Sequence, residues 1–224
     1  MQESLLKRLV AEFIGVFTLC FIGILAIANA GMDGLLQIAF AHGLAIFVMV
    51  AALGAVSGAH FNPAVTFGFV VARRMELGTA GAYVVAQLAG GLIAALIIFA
   101  LFGGEYVAGG TPQLGGSVTA VQAIVLEAIA TFFLVLVVFG SAVDARAPKY
   151  VFPLAIGLVI VADILAIGPL TGAAMNPARV LGPALASGTL GNHWVYWAGP
   201  LLGGAMAGAL HLFMLPGDTK NAQA

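Results

Sequence analysis

Charged side chains are scarce in this chain. Lys, Arg, Asp and Glu together make up 8% of its 224 residues, where a soluble domain carries about 25%. That excludes a water-covered globular domain. The formal net charge of −1 removes any electrostatic case for nucleic acid as a partner. A single cysteine, Cys20, excludes an intrachain disulfide. The four histidines (His42, His60, His193 and His211) include no pair at metal-ligand spacing, so neither a metal site nor a cofactor is expected. The first apolar run, roughly 10–30, is long enough to span and carries no small-residue cleavage site, so no cleavable signal is expected.

What is abundant is apolar sequence, 62% of the chain. About 20 residues cross a bilayer as a helix. Six runs meet that length, over 8–30, 35–55, 79–102, 119–141, 151–169 and 193–214. Two shorter runs begin at Asn62 and Asn176. The expected fold is an all-α membrane protein with six transmembrane helices and two re-entrant half-helices. With both termini cytoplasmic, Lys7, Arg8, Arg73, Arg74, Arg146, Lys149 and Lys220 all fall on the inner side, as the positive-inside rule asks. That points to the cell (inner) membrane. Arg179, the remaining basic residue, falls on the outer side and needs another explanation.

Both short runs open on the same words. Ser57-Gly58-Ala59-His60-Phe61-Asn62-Pro63-Ala64 returns as Thr171-Gly172-Ala173-Ala174-Met175-Asn176-Pro177-Ala178, with the asparagines 114 residues apart (176 − 62). Glu12 and Glu127, His42-Gly43-Leu44 and Ile156-Gly157-Leu158, and the runs from Tyr83 and Tyr196 follow at nearly the same offset. One channel domain over 1–224 is therefore expected, with a first repeat at about 8–102 and a second at about 119–214. Three spans per repeat is an odd number. The second repeat is thus inverted, and the half-helices dip in from opposite faces to meet near the midplane, where such folds keep their binding or conduction sites.

Asn is a strong helix N-cap and Pro is favoured at the first helical position. Each asparagine oxygen should accept from its own half-helix and leave its amide NH₂ as a donor to the lumen. Two donors and two positive helix ends at one point would turn a passing water's oxygen toward them, interrupt a proton wire and repel cations. The central constriction is thus assigned to Asn62, Pro63, Ala64, Asn176, Pro177 and Ala178. Ser57–Phe61 and Thr171–Met175 are read as non-helical stretches. Ser57, Gly58, Ala59, His60, Gly172 and Ala174 are assigned to the pore-lining loops. His60 lines the inner mouth or, as a group titrating near neutrality, gates it; lining is the reading taken. Glu12 and Glu127 each accept from backbone N–H groups of a re-entrant loop and brace it. Asp163 caps or braces the outer loop.

These motifs, from Ala11-Glu12-Phe13 through Gly58-Ala59-His60-Phe61-Asn62-Pro63-Ala64-Val65-Thr66 to Asn176-Pro177-Ala178-Arg179, resemble the aquaporin (major intrinsic protein) family over nearly the whole chain. The resemblance implies one pore per protomer and a homotetramer. It also implies a four-residue selectivity filter. Arg179 matches the filter arginine, Ala173 the loop position, Ile164 the fifth-helix position and His42 the second-helix position. Strict water channels carry Phe and His where this chain has His42 and Ile164. The filter resembles those of plant vacuolar-membrane aquaporins and the ammonia-permeable animal group, with His42 restoring polarity from the opposite wall. The implied function is passive permeation of water, with ammonia and also hydrogen peroxide or urea as further small uncharged solutes, and with no enzymatic activity.

Three rivals are weighed. A glycerol or polyol facilitator is suggested by Gly168-Pro169-Leu170-Thr171-Gly172 and opposed by Val180 and Tyr196-Trp197. An ion-coupled secondary transporter would want a cation site where two amide donors stand. An intramembrane serine hydrolase built on Ser57 and His60 lacks a third residue to orient the histidine. Arg179 is read as a donor held by backbone carbonyls of the outer loop, with an ion pair to Asp163 or Glu105 as the structural alternative. His193 and His211 are read as interfacial or packing residues. Glycine pairs at four-residue spacing, among them Gly54/Gly58, Gly199/Gly203 and Gly204/Gly208, are read as helix crossings.

Overall fold

The computed structural model describes residues 3–31, 34–148 and 150–214; Lys149, Lys220 and the tail lie outside them. Six helices are long and apolar enough to cross a membrane. These are α1 (Leu5–Asn29), α2 (Leu35–Ser57), α4 (Leu77–Phe102), α6 (Ala120–Val138), α7 (Phe152–Thr171) and α9 (Val195–Met214), and a π-helical turn, Phe139–Val143, continues α6. The half-helices are α3 (Pro63–Val71) and α8 (Pro177–Ser187), and a short helix α5 (Gly104–Gly110) follows α4. The spans fall within a few residues of the expected ones. The π-turn and α5 were not foreseen, because a Gly-rich stretch carries no helical signal of its own.

Local chemistry sets the element ends. Ser4 caps α1 by accepting from the Lys7 N–H, and Thr119 with Gln122 forms a capping box at α6. α2 and α7 run through Ser57 and Thr171 and stop at Gly58 and Gly172, which adopt left-handed φ values of 86° and 81°. Ser57 and Thr171 are therefore helical, contrary to the expected start of the breaks. Glycine ends these helices because a left-handed cap has no Cβ to clash.

The packing interlocks the two halves. α1 lies along α4 and α6 along α9, repeat-equivalent pairs, while α2 meets α7. Each half-helix then packs chiefly on the last span of the other half, α3 on α9 and α8 on α4. Glycines make these approaches possible, and they too come in repeat pairs. A Cβ on Gly90 would lie 2.3 Å from the Phe13 carbonyl oxygen, and one on Gly203 2.2 Å from that of Ala128. At Gly91 and Gly204 the obstacles are the Ala178 and Ala64 carbonyl oxygens of the half-helices, at 2.5 and 2.3 Å. Gly54 and Gly58 are not such a crossing, since Gly54 makes ordinary contacts and Gly58 serves the turn. Large apolar side chains such as Leu6, Val85, Leu101 and Val121 stay exposed on the outer faces, as a lipid-facing surface requires.

A Cβ on Gly182 would lie 2.3 Å from the Gly91 carbonyl carbon, with backbone on both sides of the clash. Gly182→Val is expected to cost about 1–3 kcal/mol, the scale of overpacking, and to lower the unfolding temperature of the detergent-solubilised protein. Gly81→Ala, where nothing lies within 4 Å, should leave that temperature unchanged or raise it.

Candidate functional site: a pore between two half-helices

Each re-entrant loop is built against one buried glutamate. Glu12 Oε1 accepts from the Ser57 hydroxyl (2.6 Å) and the His60 N–H (3.0 Å); its Oε2 accepts from the Phe61 N–H (2.7 Å) and Gln87 Nε2 (2.8 Å). Glu127 repeats this with the Thr171 hydroxyl (2.7 Å) and the Ala174 (2.9 Å) and Met175 (2.7 Å) N–H groups. The hydroxyls of Tyr83 and Tyr196 donate to the Ser57 and Thr171 carbonyls at 2.7 and 2.8 Å. Arg8 Nε in turn donates to the Tyr83 hydroxyl at 2.7 Å. These bonds hold four non-glycine residues at positive φ: Ala59 (50°), Phe61 (48°), Ala173 (44°) and Met175 (52°). Each such residue costs about 1–2 kcal/mol, which the carboxylate hydrogen bonds offset.

With the N–H groups turned back to the glutamates, the carbonyls of residues 58–60 and 172–174 accept no protein donor among the described residues. Buried carbonyls need partners. Ala59, His60, Ala173 and Ala174 border the central cavity, where water can reach the carbonyls.

The half-helices meet through a reciprocal bond. Asn62 Oδ1 accepts from the Ala64 N–H (2.8 Å) and its Nδ2 donates to the Met175 carbonyl (2.8 Å). Asn176 Oδ1 accepts from the Ala178 (3.0 Å) and Arg179 (3.3 Å) N–H groups, and its Nδ2 donates to the Phe61 carbonyl (2.8 Å). One amide hydrogen of each asparagine is therefore spent on tying the loops together. The expected lumen donor is the second hydrogen alone. Pro63 and Pro177 start the half-helices, and Ala64 and Ala178, fully buried, stand behind the asparagines rather than on the cavity wall.

The central cavity has a free volume of about 40 Å³, room for roughly three waters in file. Asn62 and Asn176 face an apolar wall that includes Val65, Leu134, Val138 and Ile160. Ser57 and Gly58 do not border this cavity: the Ser57 hydroxyl is turned to Glu12, and Gly58 makes the turn. Gly172 borders a wider vestibule of about 280 Å³ instead, with Gly110, Thr111 and Gln113.

His42, Ile164 and Arg179 stand where the vestibule meets the central cavity, and Ala173 lines the latter. His42 Nδ1 lies 2.8 Å from the Ile38 carbonyl and Nε2 lies 3.1 Å from an Arg179 guanidinium nitrogen. A carbonyl can only accept and a guanidinium can only donate, so the ring is neutral and carries its proton on Nδ1. Both ring nitrogens are thus occupied. The sequence suggested that His42 restores polarity from the opposite wall; with both nitrogens engaged it instead holds Arg179. A second guanidinium nitrogen donates to the Gly110 carbonyl at 3.4 Å. Arg179 is 5% exposed, and no ion pair to Asp163 or Glu105 is found among the described residues.

At the opposite end of the cavity, Thr66 fixes His60. The Thr66 hydroxyl donates to the Asn62 carbonyl (3.0 Å) and accepts from Gln87 Nε2 (3.1 Å), so His60 Nδ1, 3.1 Å away, must be the donor to it. The ring packs against Phe69, tilted by 37°, with centroids 4.2 Å apart. Gln87 and Thr66 were missed from sequence because the second repeat offers Pro200 and Val180 in their places. Tyr83 and Tyr196 were visible as a repeated pair without an assigned role. Asp163 makes no bond to the outer loop, and its Oδ2 is buried without a partner among the described residues. His211 is buried, accepts from Arg74 Nε at 2.9 Å and stacks on Phe139, a packing role. His193 accepts from Trp197 Nε1 at 3.0 Å just before α9.

Glu127→Ala would orphan the buried Ala174 and Met175 N–H groups. At about 1–3 kcal/mol each, a loss of roughly 2–6 kcal/mol is expected, read as a lower unfolding temperature. Tyr196→Phe, which removes one bond, should cost about 1 kcal/mol.

The geometry agrees with the relatives. The family model for the major intrinsic protein matches residues 1–211. "Aquaporin TIP2-1" of Arabidopsis thaliana is 40% identical over 231 residues, covering 96% of this chain and 90% of that protein. "Probable aquaporin TIP3-2" of Oryza sativa subsp. japonica is 48% identical over 185 residues, covering 82% and 69%. Among solved structures, the aquaglyceroporin from Plasmodium falciparum superposes with a TM-score of 0.79 at 25% identity, covering 96% of each chain. A multi-pass membrane protein with this pore and these relatives is a channel and not an enzyme: the chain belongs to the major intrinsic protein family, the aquaporins.

Proposed function

We propose that this chain conducts water passively and in single file, admits ammonia and, less readily, hydrogen peroxide or urea, and excludes protons and ions. The observation that carries the reading is the junction of two capped half-helices, Asn62 and Asn176, on a cavity only a few waters in volume. There two positive helix ends and two free amide hydrogens take a water's oxygen and disfavour a cation. Solute choice falls to His42, Ile164, Ala173 and Arg179. Of these only Arg179 offers donors; Ile164 and Ala173 are apolar. A filter that is half apolar discriminates weakly against a small neutral molecule such as ammonia, which is less strongly hydrated than water itself.

Glycerol is the second reading. It is supported by the Gly168–Gly172 stretch and the aquaglyceroporin fold neighbour, and opposed by Val180 and Tyr196-Trp197. Residues 8–102 and 119–214 would form the two halves of one channel domain. Four such chains would assemble around a common axis, as the family resemblance implies. Lys7, Arg8, Arg73, Arg74 and Arg146 support cytoplasmic termini. The charge bias orients the chain but names no compartment, and the relatives give the cell membrane no support.

Stopped-flow shrinkage of liposomes, with internal pH followed during an ammonia pulse, tests the reading. Fast water and ammonia flux without proton leak is the expected result. Water flux at the level of empty liposomes would overturn it. Ile164→His should lower the ammonia-to-water ratio by placing a donor on the wall. Arg179→Val should raise cation leak by roughly tenfold or more, the factor that about 1.4 kcal/mol of lost repulsion produces. Unchanged leak in folded protein would remove Arg179 from the filter.

A further inference from the structure

One cation of the first repeat has no equivalent in the second. Arg8 stands one turn before Glu12 on the same face of α1. At the offset that relates Glu12 to Glu127, its equivalent is Ala123, a fully buried apolar residue. No ion pair to Arg8 is found among the described residues. A guanidinium keeps its charge at any ordinary pH, and a charge within a membrane span is a functional candidate by default.

The geometry ties Arg8 to the wall of the pore. Its Nε donates to the Tyr83 hydroxyl at 2.7 Å, and that hydroxyl donates to the Ser57 carbonyl at 2.7 Å. A guanidinium can only donate, so the direction of both bonds is fixed. Tyr196 makes the matching bond to the Thr171 carbonyl without an arginine bonded to it among the described residues. The Arg8 guanidinium carbon lies 5.1 Å from the centre of the Tyr83 ring, and that centre lies 5.3 Å from the centre of the His60 ring. The charge is therefore within about 10 Å (5.1 + 5.3) of a ring that borders the central cavity.

The charge that Arg8 answers is that of Glu12. Four donors on the two carboxyl oxygens fit the ionised form, and Oε1 lies 3.0 Å from the backbone nitrogen of His60. A carboxylate standing alone behind this wall would draw cations into the His60 end of the cavity. The second repeat carries its own arginine, Arg179, just beyond the loop that Glu127 braces.

We propose, on the channel reading above, that Arg8 is a second ion-selectivity residue. Its charge offsets that of Glu12 at the His60 end of the cavity and so withholds a cation-attracting field from the file of water. Arg8 touches no permeating solute. It acts through its field and, by way of Tyr83, on the loop that carries His60, which makes it a positioning residue. At about 10 Å a unit charge changes the occupancy of a monovalent cation by roughly two- to fifteenfold, for effective dielectric constants of about 80 to 20.

Potassium and chloride leak from liposomes holding the full chain tests this, with water flux read in the same vesicles. Arg8→Gln is made in the parent chain and in the Arg179→Val background, where leak is expected to be larger. Expected is a potassium-to-chloride leak ratio raised by roughly two- to fifteenfold, and a ratio at the parent level in Arg8→Lys, which restores the charge. Loss of a residue that only braces the loop would raise both leaks together and leave the ratio alone. An unchanged ratio in folded Arg8→Gln overturns the proposal, and so does an equal rise in Arg8→Gln and Arg8→Lys. Should Arg8→Gln fail to fold, Arg8→Met, which keeps an unbranched stem without the charge, decides in the same way. Water flux at the level of empty liposomes in the parent would overturn the channel reading and this inference with it. Normal water flux with an unchanged ratio overturns this inference alone.

Discussion

Unpaired backbone is intolerable in the middle of a bilayer, and nearly every feature of this structure answers that constraint. Two chain segments leave helical geometry at membrane depth, and each exposes N–H and C=O groups that lipid cannot satisfy. The N–H groups are gathered by Glu12 and Glu127 and the helix starts are capped by Asn62 and Asn176. The carbonyls left over belong to segments that border the central cavity at Ala59, His60, Ala173 and Ala174. The pore is the place where the fold lets solvent complete its own hydrogen bonding.

The inverted repeat divides the work between scaffold and lining. What is repeated is support: the glutamates, the tyrosines on the Ser57 and Thr171 carbonyls, the asparagine caps and the crossing glycines. What is not repeated is the chemistry of the two mouths. One end has His60, Thr66 and Gln87; the other has His42 and Arg179 steadied by α5. A symmetric frame thus carries an asymmetric wall.

How much of this could be read from the sequence follows the range of the forces involved. Asn-Pro at a helix start is local chemistry, so both half-helices were placed to the residue, and apolar runs placed the six spans. Glu12 and Glu127 were legible because they recur. The conformations of Ala59, Phe61, Ala173 and Met175 were not, because these left-handed turns are held by carboxylates 47–49 residues distant in the chain, directly at Phe61 and Met175 and through the Ser57 and Thr171 hydroxyls at Ala59 and Ala173. The occupation of both His42 nitrogens was equally hidden, since it depends on Arg179, 137 residues away. α5 and the π-turn are stabilised by neighbours rather than by their own composition.

The reciprocal tie between the asparagines also sets an order of events in time. Asn62 finds its second partner, the Met175 carbonyl, 113 residues later in the chain. At a synthesis rate of about 5–20 residues per second, the first three spans, complete at Phe102, wait 73 residues (175 − 102), roughly 4–15 s, before that carbonyl exists. The packing surface of α9 that receives α3 arrives later still. Through this interval the first re-entrant loop has its glutamate but neither its opposite number nor its lid. Maturation of the pore is therefore a late, concerted event, and a chain truncated after the first repeat is an assembly intermediate with no closed channel in it.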